Sequence, residues 1–137
     1  MSQGDAGAPP GGDLLAAHWW DGVAAGELRY QRCGACGAAV HYPRPRCPAC
    51  FADALDWRVS AGAGTVAAVT VVHRAPGAAF AELAPYAVAL IDLDEGFRVL
   101  SNVVDVEPHR VAVGRRVTVV FREGPEGDTL PLFVPAD

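Results

Sequence analysis

Cys33-Gly34-Ala35-Cys36 and, ten residues further on, Cys47-Pro48-Ala49-Cys50 are the segments that decide the fold of this chain. Two residues between cysteines let both sulfurs of a pair turn toward one ion. Backbone N–H groups of the same turn then hydrogen-bond the thiolates. Gly34 and Gly37 ease the first turn and Pro48 stiffens the second. Phe51 stands where such turns often carry a small residue, so the second turn is expected to be less regular. Two pairs complete a tetrahedral four-sulfur site. The gap between them is shorter than the roughly 15–20 residues of one typical ribbon spacing, a length that varies among ribbons. Two disulfides, or four buried thiols, are the plainer alternatives. A reducing cytoplasm disfavours the first, and unrelated cysteines seldom fall into two such pairs. Zn2+ is favoured over a rubredoxin-like iron because a closed structural site needs no redox chemistry. A metal held by Cys33, Cys36, Cys47 and Cys50 has no open position, so the role expected for it is structural.

Upstream, Asp13 caps a predicted helix that begins at Leu14, with Leu14, Leu15, His18 and Trp19 at helical spacing and Gly22 as its stop. A short turn over Val23 to Ala25 is expected to end at Gly26. Downstream, Trp57 to Val59 closes the cysteine module, and Ala61-Gly62-Ala63-Gly64 reads as a turn. Five β-rich stretches follow, Thr65 to His73, Tyr86 to Leu93, Phe97 to Val104, Arg116 to Arg122 and Leu130 to Val134. Asp94-Glu95-Gly96 makes a hairpin of the second and third. Ala75 to Pro85 is expected to be a loop, and Gly124 to Asp128 a turn. Five strands with short connections predict a small closed barrel. The predicted organisation is a disordered tail over 1–12, a helical arm over 13–28, the cysteine module over 29–60 and the barrel over 61–137.

At 137 residues the chain is one domain or two very small modules, and small modules often need a staple. Met1 to Gly12 lacks the charged start and apolar core of a signal peptide. No run approaches the roughly 18 apolar residues of a membrane span. A cytoplasmic protein is expected. The net charge is −5, and all 11 basic residues are arginine. Five of them (29, 32, 44, 46 and 58) fall between Arg29 and Arg58 against Asp53 and Asp56, whereas the stretch from Ala61 onward is acidic. That acidity argues against a general nucleic-acid binder, whose affinity comes largely from phosphate neutralisation.

Several longer stretches resemble one known family. These are His18-Trp19-Trp20-Asp21-Gly22, Gly26-Glu27-Leu28-Arg29-Tyr30-Gln31-Arg32-Cys33, Arg44-Pro45-Arg46-Cys47-Pro48-Ala49-Cys50 and Pro85-Tyr86-Ala87-Val88-Ala89-Leu90-Ile91-Asp92-Leu93-Asp94-Glu95-Gly96. Val113-Gly114-Arg115-Arg116-Val117 and Pro131-Leu132-Phe133-Val134-Pro135 extend the likeness. The chain resembles the DUF35 family from about residue 13 to 135. The resemblance implies a mainly β protein with a short N-terminal helical arm, a rubredoxin-like zinc ribbon and a five-stranded OB-fold barrel. It also implies a non-catalytic accessory subunit that binds a thiolase-fold or MaoC-type hydratase and helps position CoA or acyl-CoA in lipid, sterol or polyketide acyl metabolism.

The remaining residues are weighed against that expectation. Trp19 and Trp20 diverge on a helix, so one packs within the chain and the other is open to a partner. Arg44 and Arg46 flank Pro45 and are either forked donors for a CoA phosphate or solvated charge beside the metal cluster. Arg29 and Arg32 share that ambiguity. His41 lies in the ribbon loop, where four cysteines already suffice. His73 is assigned to the surface or an interface. Ser60 and Ser101 lack any motif, and Asp92, Asp94 and Glu95 read as a solvated hairpin tip. No catalytic residues are assigned. The alternative reading is a single-stranded nucleic-acid binding module with zinc ribbon and OB-fold, which needs a basic groove with stacking aromatics. Here Phe80, Tyr86, Phe97, Phe121 and Phe133 are spread over an acidic segment.

Overall fold

The computed structural model describes residues 10–73, 85–124 and 127–136. The chain forms two compact units, Met1–Val59 and Ser60–Asp137. The first holds helix α1 (Pro10–Ala24) and strands β1 (Arg29–Cys33), β2 (Ala39–Val40) and β3 (Leu55–Val59). The second holds β4 (Ala63–Val72), β5 (Tyr86–Leu93), β6 (Arg98–Val103), β7 (Arg116–Glu123) and β8 (Thr129–Pro135), with a 3-10 turn at Pro108–Arg110. The expected loop over 75–85, with Phe80, and the tail over 1–9 lie outside the described residues, apart from Pro85.

Helix α1 differs from its expected bounds at both ends. It starts at Pro10, so residues 10–12 are its first turn rather than tail. It runs through Gly22 and stops at Gly26, whose φ is 80°. There the Glu27 N–H reaches the Gly22 carbonyl at 2.7 Å and the Gly26 N–H reaches the Val23 carbonyl at 3.0 Å. That pair of bonds is a Schellman cap, which satisfies the last helical carbonyls. Gly22 serves packing instead, because Arg29 lies across it and leaves no room for a Cβ. The Arg29 guanidinium then donates to the His18 carbonyl at 3.0 Å and to Glu27 at 3.0 Å. The His18 ring lies tilted against Trp57 of β3, with ring centroids 4.4 Å apart. The helix is thereby fixed on a three-stranded sheet of order β2-β1-β3, antiparallel throughout. Val23, Leu28 and Tyr30 are buried within this unit.

In the second unit the strands close into a barrel of order β4-β5-β6-β8-β7. All pairings are antiparallel except β6 with β8, which run parallel at Val103 and Phe133. A five-stranded Greek-key barrel closed in this order is the OB fold. Alternation explains its core: Ala87, Ala89, Ile91 and Leu93 of β5 point inward together and are all buried. Val66, Val99, Val103, Val117 and Phe133 fill the rest. Ala63 and Gly64, read in sequence as part of a turn, already belong to β4. Gly64 is needed there because a Cβ would stand 2.7 Å from the Asp92 carbonyl oxygen.

The hairpin tip is more than a solvated turn. Glu95 accepts hydrogen bonds from the Ser60 hydroxyl and the Ala61 N–H, each at 2.8 Å. Asp94 takes both guanidinium nitrogens of Arg116 at 2.8 Å, and Asp92 pairs with Arg98. These arginines, first by hydrogen bonding, hold both carboxyl groups below their ordinary pKa.

Candidate metal centre

The two cysteine pairs form a pair of matching knuckles. In the first, the Gly37 N–H bonds the Cys33 carbonyl at 2.9 Å and the Cys33 N–H bonds the Ala38 carbonyl at 2.9 Å. In the second, Phe51 bonds Cys47 at 2.8 Å and Cys47 bonds Ala52 at 3.1 Å in the same pattern. Gly37 and Phe51 both have left-handed backbone, with φ of 82° and 65°. The second knuckle is therefore as regular as the first, against the expectation raised by Phe51. Arg32 donates to the Gly37 carbonyl at 2.8 Å, and Arg46 donates to the Phe51 carbonyl at 3.3 Å. Each knuckle is thus closed from outside by the arginine that precedes its first cysteine.

Inside, the sulfur atoms of Cys33, Cys36, Cys47 and Cys50 all lie within 4.8 Å of one another. Cys33 to Cys50 and Cys36 to Cys47 are both 3.6 Å apart. Zinc bound to four thiolates at about 2.3 Å sets sulfur edges of about 3.8 Å, so the donor set fits a tetrahedral zinc. The cysteines form no disulfides. Backbone N–H groups at 35 and 49 point at the Cys33 and Cys47 sulfurs, each at 3.4 Å. The Cys36 N–H, joined by that of Ala35, draws the Cys33 thiol down to about 7 against the opposing effect of burial. The Cys50 N–H does most to lower Cys47. At Cys50 the Ala52 N–H favours the thiolate, yet burial and the other three sulfurs together push it up to about 12. Two thiols are thus prepared as ligands, and the proton on Cys50 leaves when a cation arrives.

His41 is not part of this cluster. Its ring stands against Trp19, with centroids 5.4 Å apart, and burial lowers its pKa. Trp19 also meets Trp20 edge-on at 4.7 Å. Trp19 is half-buried by these contacts, whereas Trp20 is 49% exposed. Arg44 is exposed, and its main chain is held by the buried Gln31. In the barrel unit, Ser60 and Ser101 use their hydroxyls as structural donors to Glu95 and to the Pro131 carbonyl. The His73 and His109 rings lie 5.2 Å apart. An open, mainly apolar groove of about 810 Å³ is lined by Tyr86, Val88, Leu100 and Leu132, with the Arg122–Asp105 pair at its edge. The sequence assigns no role to Gln31 or this groove, and Glu95, read there as solvated, instead ties Ser60 and Ala61 to the hairpin. Their contacts join residues far apart in the chain, and no local pattern marks them.

Two family models match in tandem. One, described as the rubredoxin-like zinc ribbon domain of ChsH2, covers residues 20–56. The other, the C-terminal OB-fold domain of ChsH2, covers residues 57–122. A DUF35 domain-containing scaffold protein from Methanothermobacter thermautotrophicus is 35% identical over 106 residues, which are 74% of this chain and 79% of that one. The chain belongs to the DUF35 family. Its metal is accordingly a structural zinc. A solved structure described as an Ltp2-ChsH2(DUF35) aldolase shares 37% identity at a TM-score of 0.78, over 88% of this DUF35 chain and 94% of that chain. A probable enoyl-CoA hydratase alpha subunit from Thermomonospora curvata is 38% identical over 120 residues. This DUF35 protein matches there over 88% of its own length and 37% of the relative's. No helix among the described residues is long and apolar enough to cross a membrane.

Proposed function

We propose that this DUF35 protein is a non-catalytic accessory subunit of an acyl-CoA enzyme. It binds a thiolase-fold or MaoC-type hydratase partner and helps position acyl-CoA, while the partner supplies the chemistry. The observation that carries this reading is the closed centre. Four sulfurs complete a tetrahedron and leave no coordination position for a substrate. The names of the relatives, a scaffold protein, a hydratase alpha subunit and an aldolase assembly, point the same way.

The first unit also exposes large apolar side chains, including Leu14 at 84%, Trp20 at 49% and Tyr42 at 73%. Trp20 is the side chain we assign to the partner, with Trp19 as the packed ring that orients it. Arg44 and Arg46 are assigned to a CoA phosphate or a partner carboxylate, for which a planar fork is suited.

The test is affinity capture of the tagged chain from its native host, with mass spectrometric identification of what accompanies it. A thiolase-fold or hydratase enzyme in near-stoichiometric amount is the expected result. Nucleic acid alone, or no companion, would sink this reading and leave the zinc ribbon standing.

A further inference from the structure

Phe51 and Gly37 occupy equivalent places, and their backbones do the same work. Each adopts positive φ, each N–H closes its knuckle onto a cysteine carbonyl, and each carbonyl accepts from an arginine. Glycine meets these demands without conflict, whereas a Cβ in the left-handed region crowds the neighbouring carbonyl. A bulky residue there is an outlier, and outliers of this kind gather at functional positions. The Phe51 residue is nevertheless 73% exposed and stands outside the buried core of the described residues. Its position is disfavoured twice, by backbone conformation and by apolar surface left in water.

We propose that Phe51 is an anchor that inserts into an apolar pocket on the partner acyl-CoA enzyme, bordered by carboxylates that face Arg46. The inference rests on the accessory-subunit reading and names a contact within it. The metal-braced knuckle holds the ring's backbone in place before binding, so little ordering is left to be done on docking. Aromatic and arginine side chains are the types that dominate protein interfaces. Arg46 is exposed and touches the Phe51 carbonyl, so a positive charge stands beside the ring and complements an acidic rim.

The experiment compares the full chain with its Phe51→Gly and Phe51→Tyr variants. Melting temperature and zinc content are measured first, without partner. Calorimetric titration then uses the purified acyl-CoA enzyme identified by affinity capture. Phe51→Gly is expected to melt at the same or a higher temperature with full zinc, yet to bind the enzyme roughly tenfold or more weakly, as truncation of an interface anchor does. Phe51→Tyr is expected to restore most of the affinity. A Phe51→Gly protein that melts lower and loses zinc would show that the ring is structural and overturn the proposal. Unchanged affinity would overturn it too, while leaving the accessory role intact. A wild-type chain that binds no acyl-CoA enzyme overturns both.

Discussion

Gln31 holds both backbone polar groups of Arg44. Its side-chain nitrogen donates to the Arg44 carbonyl at 3.0 Å, and its oxygen accepts from the Arg44 N–H at 2.8 Å. Gln31 lies on β1 and is 2% exposed. One amide thus acts as a short piece of sheet, pinning the segment that leads into the second knuckle beside the first.

The Gln31→Ala variant removes both part-buried hydrogen bonds to the Arg44 backbone. Each such bond contributes about 0.5–1.5 kcal/mol. The first unit should melt earlier, and zinc should leave faster, although no ligand has been touched. Gln31→Glu should also destabilise, because it turns a carboxylate oxygen toward the Arg44 carbonyl. Thermal melting and zinc release to a coloured chelator check both. A Gln31→Ala protein indistinguishable from wild type would remove Gln31 from this role.

Arg32 and Arg46 offer a second test on the same module. Each donates to the carbonyl that closes its knuckle, and each places positive charge near a centre that carries about −2 once four thiolates hold one divalent ion. Replacing either with Gln should speed zinc release by about two- to five-fold, the scale of an exposed charged hydrogen bond. Arg32 should matter more, because it also reaches the Tyr30 hydroxyl at 3.3 Å. Lysine variants keep the charge and should fall between. Equal release rates for wild type and Arg46→Gln would remove Arg46 from the closing of the second knuckle.

What was legible in the sequence was legible for a local reason. A Cys-x2-Cys spacing is itself the geometry of a metal knuckle, so the four ligands could be read without knowing the fold. The β-branched runs and the Asp94-Glu95-Gly96 turn placed the five barrel strands within about two residues of their observed bounds. Distant partners hid the rest. Gly22 looked like a helix stop, but the Schellman cap formed at Gly26 and Arg29 used the bare surface of Gly22. Glu95 looked solvated because Ser60, its donor, lies 35 residues away. Phe51 looked like an irregularity because its match with Gly37 shows only in backbone angles.

Removing one ligand should separate a structural metal from an incidental one. Cys33→Ser takes away a buried sulfur that the knuckle has prepared, and a hydroxyl is a poor replacement for a thiolate on zinc. The ribbon is too small to hold its knuckles together by apolar burial alone. Zinc content, measured by plasma emission, should fall from one per chain toward none, and soluble yield should fall with it. Normal yield of a folded, metal-free variant would refute the structural role.

The number of protons released when zinc binds reports whether the knuckles exist before the metal does. In an unfolded ribbon every thiol titrates near about 8.5, so zinc would displace almost all four protons at pH 6 and at pH 7 alike. Within each knuckle turn, which its own backbone hydrogen bonds close, the Cys36 N–H, with that of Ala35, draws Cys33 down to about 7, and the Cys50 N–H does most to lower Cys47, whether or not the metal yet ties the two turns together. Cys50 stays protonated, pushed up to about 12 by burial and the neighbouring sulfurs in spite of the Ala52 N–H. Because zinc takes thiolates, protons compete with it. Near pH 8 Cys33 is mostly ionised already, and zinc should displace fewer than four protons. As pH falls through about 7, Cys33 gains a proton that zinc must then remove, so release per zinc rises and affinity falls. Calorimetry of the metal-free chain in buffers of different ionisation enthalpy, from pH 6 to 8, gives the count. A release near four that does not change between pH 6 and 7 would mean that the metal builds the knuckles.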